Sequence, residues 1–132
     1  MIFAAYAQGV IRKLAAVLTS MTLLAPLPAQ AHTSLVNSAP AKNSTVKVMP
    51  KTIALTFDEK LIKLAGKNVS KFTLVGPDGQ AIKLGPITLT NQIISAAILE
   101  PEPKPGTYKI NYRVISGDGH PVSGAIKFTL KN

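Results

Sequence analysis

The last third of the chain alternates apolar and polar residues with a period of two, and this pattern restricts the fold more than any other feature. Successive side chains of a β-strand point to opposite faces, so every second residue shares a face. The apolar residues of the two alternating segments are Tyr108, Ile110, Tyr112 and Val114 in the first, and Ile126, Phe128 and Leu130 in the second. A polar segment, residues 116–121, lies between them. The sequence therefore predicts two strands joined by a polar loop.

Shorter apolar stretches, separated by Gly and Pro, predict further strands upstream. They contain Ile53, Leu55 and Phe57, then Phe72 and Leu74, then residues 81–84 and 93–99. The segment GPDG at 76–79 predicts a turn, and PEPKPG at 101–106 predicts a loop because proline cannot donate a ladder hydrogen bond. No segment predicts a helix convincingly. About seven short strands indicate an all-β, antiparallel β-sandwich, and GTY at 106–108 is similar to the tyrosine corner of such folds.

The N-terminal segment has the order of a secretory signal peptide. Arg12 and Lys13 precede an apolar run over residues 14–27, and Ala29-Gln30-Ala31 supplies the small residues of a cleavage site. A membrane anchor is the alternative, but spanning a bilayer takes about 20 apolar residues, which is longer than this run. We therefore expect cleavage after Ala31, with residues 1–31 removed and residues 32–132 forming one exported domain.

The predicted mature domain is basic and contains no cysteine. Loss of Arg12 and Lys13 leaves 13 basic side chains against 6 acidic ones, a formal charge of +7. The lysines are dispersed along the sequence, which argues against a nucleic-acid footprint and indicates a solvated surface with at most a weak attraction to anionic lipid. Without cysteine the domain can form neither a disulfide nor a thiolate metal site.

Two histidines, His32 and His120, are the only ones in the chain. Cleavage after Ala31 would make His32 the first residue, whose α-amine and ring Nδ1 could chelate one metal ion. Cu(II) favours such nitrogen donors, and His120 could supply a third. Asp118 lies two residues before His120, so both side chains project to the same side of an extended segment. The alternative is that His32 is incidental and His120 is an ordinary loop histidine.

Several segments, in order along residues 32–132, resemble the CopC family of copper-resistance proteins. HTSLVNSAP at 32–40 is similar to the N-terminal pattern of the family, and IALTFDE at 53–59 to its strand that ends in glutamate. PGTY at 105–108, YRVIS at 112–116 and GDGHPVSG at 117–124 resemble its three later elements.

The resemblance implies an immunoglobulin-like Greek-key β-sandwich that binds one Cu(II) per chain. His32 would bind through amine and ring and His120 through its ring, while Asp118 would be an oxygen ligand or a partner of a ligand. Glu59 corresponds to a glutamate that approaches the metal in some members, although a solvated strand-end carboxylate is an equal alternative. Met49 is the single methionine of residues 32–132, which is too few for the Met-rich Cu(I) site of other members.

The predicted function is that of a periplasmic, monomeric copper carrier that sequesters Cu(II) or delivers it, without catalysis and without nucleic-acid binding. The family resemblance suggests an inner-membrane transporter of the CopD type as the partner. The rival is a copper-dependent oxidative enzyme that uses the same N-terminal histidine chelate. Such enzymes need a broad, often aromatic, substrate face, whereas residues 32–132 contain no Trp and only the tyrosines 108 and 112.

Overall fold

The computed structural model describes residues 32–132, and every regular element in this part is a β-strand. The strands are β1 (Leu35–Ala39), β2 (Thr45–Val46), β3 (Thr52–Phe57), β4 (Lys71–Val75), β5 (Ala81–Ile82), β6 (Thr88–Thr90), β7 (Ile93–Ala97), β8 (Gly106–Ile115) and β9 (Pro121–Leu130). The two-residue strands β2 and β5 bring the number to nine, against about seven predicted. The predicted signal peptide, residues 1–31, lies outside the described residues.

The strands form two sheets with the topology of an immunoglobulin-like sandwich. One sheet has the order β1-β3-β7-β6 and the other the order β2-β9-β8-β4-β5, so the chain crosses between sheets several times. The predicted fold class is confirmed. One pair departs from the antiparallel pattern, because β2 runs parallel to β9. The chain passes from β1 to β2 in the other sheet without reversing its direction, which produces this parallel pair.

The core lies between the two sheets, on the faces that the alternation predicted. Ile53, Leu55 and Phe57 of β3 have no exposed surface, and Tyr108 stacks on Phe128 with ring centroids 5.3 Å apart. Tyr112 is only half-buried, at the edge of this core, where its ring meets that of Phe57 edge-on at 5.4 Å. Burial of one large apolar side chain stabilises a fold by about 1.5–3 kcal/mol. A cysteine-free domain depends on this core.

Strand directions place the two histidine-bearing segments at one end of the sandwich. Leu35 at the start of β1 pairs with Phe57 at the end of β3, and β8 ends at Ile115 beside the start of β9. The loop after β3, residues 58–62, lies at the same end, where the Ile62 N–H donates to the Ile115 carbonyl at 3.1 Å. We call residues 32–34, 58–62 and 116–120 the histidine end. The β4–β5 turn and the Pro-rich loop form the opposite end.

Candidate metal centre

The loop between β8 and β9 is closed by its own backbone. The N–H of Ser116 donates to the carbonyl of His120, and the N–H of Gly119 donates to the carbonyl of Ser116, both at 2.9 Å. Gly119 has a φ of +87°, a conformation that residues with a Cβ rarely adopt. Ser116 is buried, with 1% of its surface exposed, whereas His120 extends into solvent. The loop thus holds an exposed histidine on a fixed turn.

Asp118 organises this loop. Its Oδ1 accepts hydrogen bonds from the Ser116 hydroxyl and from the backbone N–H of His120, the latter at 3.0 Å. The hydrogen bond from Ser116, followed by those from His120, lowers the pKa of Asp118 well below its usual range. The carboxylate therefore stays ionised in mildly acidic solution.

The predicted pair of Asp118 and His120 is in direct contact. Asp118 Oδ2 lies 3.0 Å from His120 Nδ1, and the histidine side chain is 80% exposed. A carboxylate beside one ring nitrogen favours a proton on that nitrogen and leaves the other with a free lone pair. In this arrangement His120 presents Nε2 to solvent as an available metal ligand.

The segment that follows His32 is tied to the end of β3. The Ser34 N–H donates to Asp58 Oδ1 at 2.8 Å, and the Asp58 N–H donates to the Ser34 carbonyl at 3.0 Å. Thr33, with 3% of its surface exposed, donates from its hydroxyl to Glu59 Oε2 at 3.2 Å. Glu59 therefore contacts Thr33, the residue that follows His32 in the sequence. His32 itself is exposed.

Residues 58–62 also contact the loop of His120, so they connect the two histidine segments. A Cβ placed on Gly117 would lie 3.3 Å from the Lys60 carbonyl oxygen, which shows how closely the loop packs on this turn. The structure thus brings Asp118 and His120 together and puts Glu59 against the neighbour of His32. Nevertheless, no group of three or more His, Cys, Asp or Glu side chains within residues 32–132 is arranged to hold a metal ion.

Three residues of this end escaped the sequence reasoning: Thr33, Asp58 and Ser116. Each supports a candidate residue rather than standing as a candidate itself. Glu59 is the candidate in this turn, yet its neighbour Asp58 is the residue that fixes the backbone of the N-terminal segment. The sequence did contain a signal for the Ser116 contact: Ser116 is a hydroxyl residue two positions before Asp118.

The two tyrosines of residues 32–132 do not form the exposed aromatic face that an oxidative enzyme would need. Tyr108 is buried and Tyr112 is half-buried against Phe57. Residues 32–132 contain no helix that is long and apolar enough to cross a membrane. Fold and loop together define a class of protein: a small immunoglobulin-like domain with a histidine–carboxylate pair at one end.

Comparison with known proteins identifies the family within that class. Residues 35–131 match the sequence model of the CopC domain. The chain is 38% identical over 112 residues to Copper resistance protein C of Xanthomonas campestris pv. juglandis, covering 82% of this chain and 87% of that protein. It is 34% identical over 111 residues to Copper resistance protein C of Escherichia coli, covering 78% and 84%. The chain belongs to the CopC family of copper-resistance proteins.

Solved structures agree with this assignment. CopC from Methylosinus trichosporium OB3b superposes with a TM-score of 0.62 at 25% identity, over 76% of this chain and 94% of that one. PcoC from Escherichia coli, described as a methionine-rich copper resistance protein, gives 0.57 at 31% identity, over 76% and 100%. The chain also resembles part of Copper transport protein CutJ of Bacillus subtilis, with 30% identity over 80% of this chain but only 19% of that protein.

Proposed function

We propose that this protein binds one Cu(II) ion at the histidine end and sequesters it or delivers it in the periplasm. The ligands are the α-amine and Nδ1 of His32 and the ring of His120. Asp118 either binds the metal through oxygen or orients the His120 ring, and Glu59 approaches from the turn after β3. This set of nitrogen donors with a carboxylate suits Cu(II), which prefers tetragonal N and O coordination.

The observation that carries the proposal is the contact between His120 and Asp118 on a loop packed against residues 58–62. That turn also holds Thr33, the residue next to His32. The Nδ1···Oδ2 separation of 3.0 Å fits two roles of the aspartate. It suits a hydrogen bond that orients the ring, and it is also close to the separation of about 2.8 Å between adjacent ligand atoms that are each about 2 Å from a metal.

The choice of Cu(II) over Cu(I) rests on the methionine content. Cu(I) favours soft thioether and thiolate ligands. Met49 is the single methionine after residue 31, and its side chain is half-buried against the core. The relative PcoC, by contrast, is described as methionine-rich. One thioether engaged in packing cannot form a Cu(I) site of several sulfur ligands.

Export would create the site, because cleavage after Ala31 frees the α-amine of His32. Delivery to an inner-membrane transporter of the CopD type is consistent with the names of the relatives. In Bacillus subtilis a segment similar to this chain makes up 19% of a protein named for copper transport. In our proposal the carrier and the transporter are two separate chains, and the monomeric carrier passes copper to the transporter.

The decisive experiment alters the N-terminus. We would titrate Cu(II) against a competing chelator using the exported protein and a variant with one alanine ahead of His32. The extension removes the amine chelate but leaves the ring, so the affinity should fall by several orders of magnitude. The matched control adds the alanine after Asn132 and should leave the affinity unchanged.

His120→Ala should weaken Cu(II) binding strongly. Asp118→Asn, which retains an Oδ1 acceptor, should lower the Cu(II) affinity by about 10–100-fold.

Lower pH should weaken binding in every variant that retains the site, because Cu(II) competes with protons for imidazole and amine nitrogens. Equal Cu(II) affinity of the exported and the N-terminally extended protein would rule out the proposed ligand set. Tight Cu(I) binding by the exported protein would rule out its restriction to Cu(II).

A further inference from the structure

The outer face of the five-stranded sheet carries basic residues in directly opposed pairs. Lys71 of β4 is the register partner of Arg113 of β8, and Lys109 of β8 is the register partner of Lys127 of β9. All four side chains are exposed, and their strand neighbours point inward to the core. We call these four residues and the outward residues between them the basic face.

Opposed like charges destabilise a sheet, and no carboxylate offsets them here. The chain has six acidic side chains, three at the histidine end (Asp58, Glu59 and Asp118) and three around a cleft at the opposite end (Asp78, Glu100 and Glu102). Within residues 32–132, Lys104 forms an ion pair with Asp78 and the His120 ring contacts Asp118, so neither contact involves the basic face. The sequence thus keeps an unfavourable arrangement of charge on an open surface, which an external anion would relieve.

The remaining residues of the basic face are small and mostly polar. They are Thr73, Val75, Thr107, Asn111, Ser123, Ala125 and Thr129. Protein interfaces depend on buried aromatic anchors and are depleted in lysine, and this face has no aromatic residue and three lysines. A broad anionic surface that needs no pocket matches it better. A layer of anionic phospholipid headgroups is such a surface, and it attracts clustered Lys and Arg by electrostatics alone.

We propose that the basic face adsorbs to anionic phospholipid headgroups at a membrane surface. Strands β8 and β9 carry both this face and the loop of residues 116–120, so adsorption would hold the loop at the membrane–water boundary. The proposal goes beyond copper binding and does not depend on it, because none of the four basic residues is a candidate ligand. Adsorption would restrict the protein to two dimensions, where encounters with a membrane protein are more frequent.

The test is co-sedimentation of the exported protein, with its N-terminus verified by intact mass, with lipid vesicles in the absence of copper. Vesicles containing phosphatidylglycerol should bind the protein at low salt, and vesicles of pure phosphatidylcholine should not. Since each basic residue near an anionic surface contributes roughly fivefold to binding, Lys109→Gln with Lys127→Gln should reduce partitioning about 25-fold. Raising the salt to about 0.5 M should release the wild-type protein, because the Debye length falls to a few ångströms.

The matched control carries Lys51→Gln and Lys67→Gln, which change the net charge equally but lie off the basic face. It should retain most of the binding, and His120→Ala should retain all of it even if it abolishes copper binding. Equal losses in the two double variants would show that net charge, and not this face, drives adsorption, and would overturn the proposal. Failure to bind phosphatidylglycerol vesicles would overturn it as well and would leave an acidic protein as the occupant of the face.

Discussion

Tyr108 is a fully buried residue whose hydroxyl still requires a partner. The hydroxyl donates to the carbonyl of Lys104 at 2.6 Å, four residues upstream, and the ring stacks on Phe128. This is the tyrosine-corner arrangement that the sequence GTY suggested. The hydrogen bond connects the Pro-rich loop to the start of β8, so a single phenol both fills the core and fixes the entrance of a strand. Burial raises the pKa of Tyr108 above its ordinary value.

We predict that Tyr108→Phe lowers the free energy of unfolding by about 0.5–1.5 kcal/mol at pH 7, the usual contribution of one hydrogen bond. Because the folded pKa is raised, the native state retains the phenol proton longer than the unfolded state, whose pKa is about 10. The contribution is therefore present in full below about pH 10 and lost as the pH rises through the folded pKa. Urea unfolding of both proteins across this range measures the difference.

Tyr112→Phe is the matched control for this change, since the Tyr112 hydroxyl makes no hydrogen bond within residues 32–132. It should alter the stability at pH 7 much less. Cu(II) affinity should be unchanged in Tyr108→Phe, because Tyr108 lies roughly 25 Å along β8 from the loop of His120. A Tyr108→Phe variant as stable as the wild type would show that the corner contributes nothing to folding.

At the scale of the strands, Gly124 of β9 is the last residue of the motif GDGHPVSG, which begins in the loop and continues into the sheet. Gly124 is the register partner of Tyr112, and a Cβ at this position would overlap the hydroxyl and Cζ of that ring. The Tyr112 ring thus lies over the glycine and reaches Phe57 edge-on. The final glycine of the segment GDGHPVSG is therefore explained by packing, separately from the metal binding proposed for its histidine.

We predict that Gly124→Ala destabilises the domain by about 1–3 kcal/mol, as overpacking in a filled core typically does. Ser123→Ala, on the exposed side of the same strand, should change the stability by less than about 0.5 kcal/mol. Combining Gly124→Ala with Tyr112→Ala should cost less than the sum of the single changes, because the ring that the new methyl group strikes is gone. Strictly additive effects in chemical denaturation would contradict this account.

Local alternation was sufficient to predict the faces of β3, β8 and β9, because a strand buries every second residue whatever its neighbours. It could not predict the parallel pairing of β2 with β9, which depends on how the chain crosses between sheets. Tyr112 shares its strand face with the buried Tyr108 and Ile110, as the alternation predicted, but it is only half-buried, at the core's edge over Gly124. At the histidine end, the sequence predicted the pair of Asp118 and His120 from an extended segment, and that premise is wrong: residues 117–119 form a turn, and the pair meets because Asp118 Oδ1 accepts the His120 N–H at 3.0 Å. The contact of Thr33 with Glu59 joins residues far apart in sequence and left no local signal.

At the scale of the whole molecule, the proposed copper site would connect two segments that lie far apart in the sequence of residues 32–132. His32 begins the domain, and His120 precedes its last strand, so a shared metal ion would clip the N-terminal segment to the loop after β8. No disulfide is possible in this chain, and β1 lies at the edge of its sheet. Because the complete ligand set exists only in the folded protein, binding free energy would add to folding stability.

We therefore predict that Cu(II) raises the melting temperature of the exported protein. A ligand present at about 100 times its dissociation constant adds about 2.7 kcal/mol, which corresponds to 10 °C or more for a domain of this size. The variant with one alanine ahead of His32 should melt at the same temperature as the wild type without copper, and it should gain little when copper is added, because the clip has lost its amine chelate. The variant extended after Asn132 should behave like the wild type. Differential scanning calorimetry with and without a chelator measures these shifts, and equal copper-induced shifts in both extended proteins would show that the N-terminus takes no part in the site.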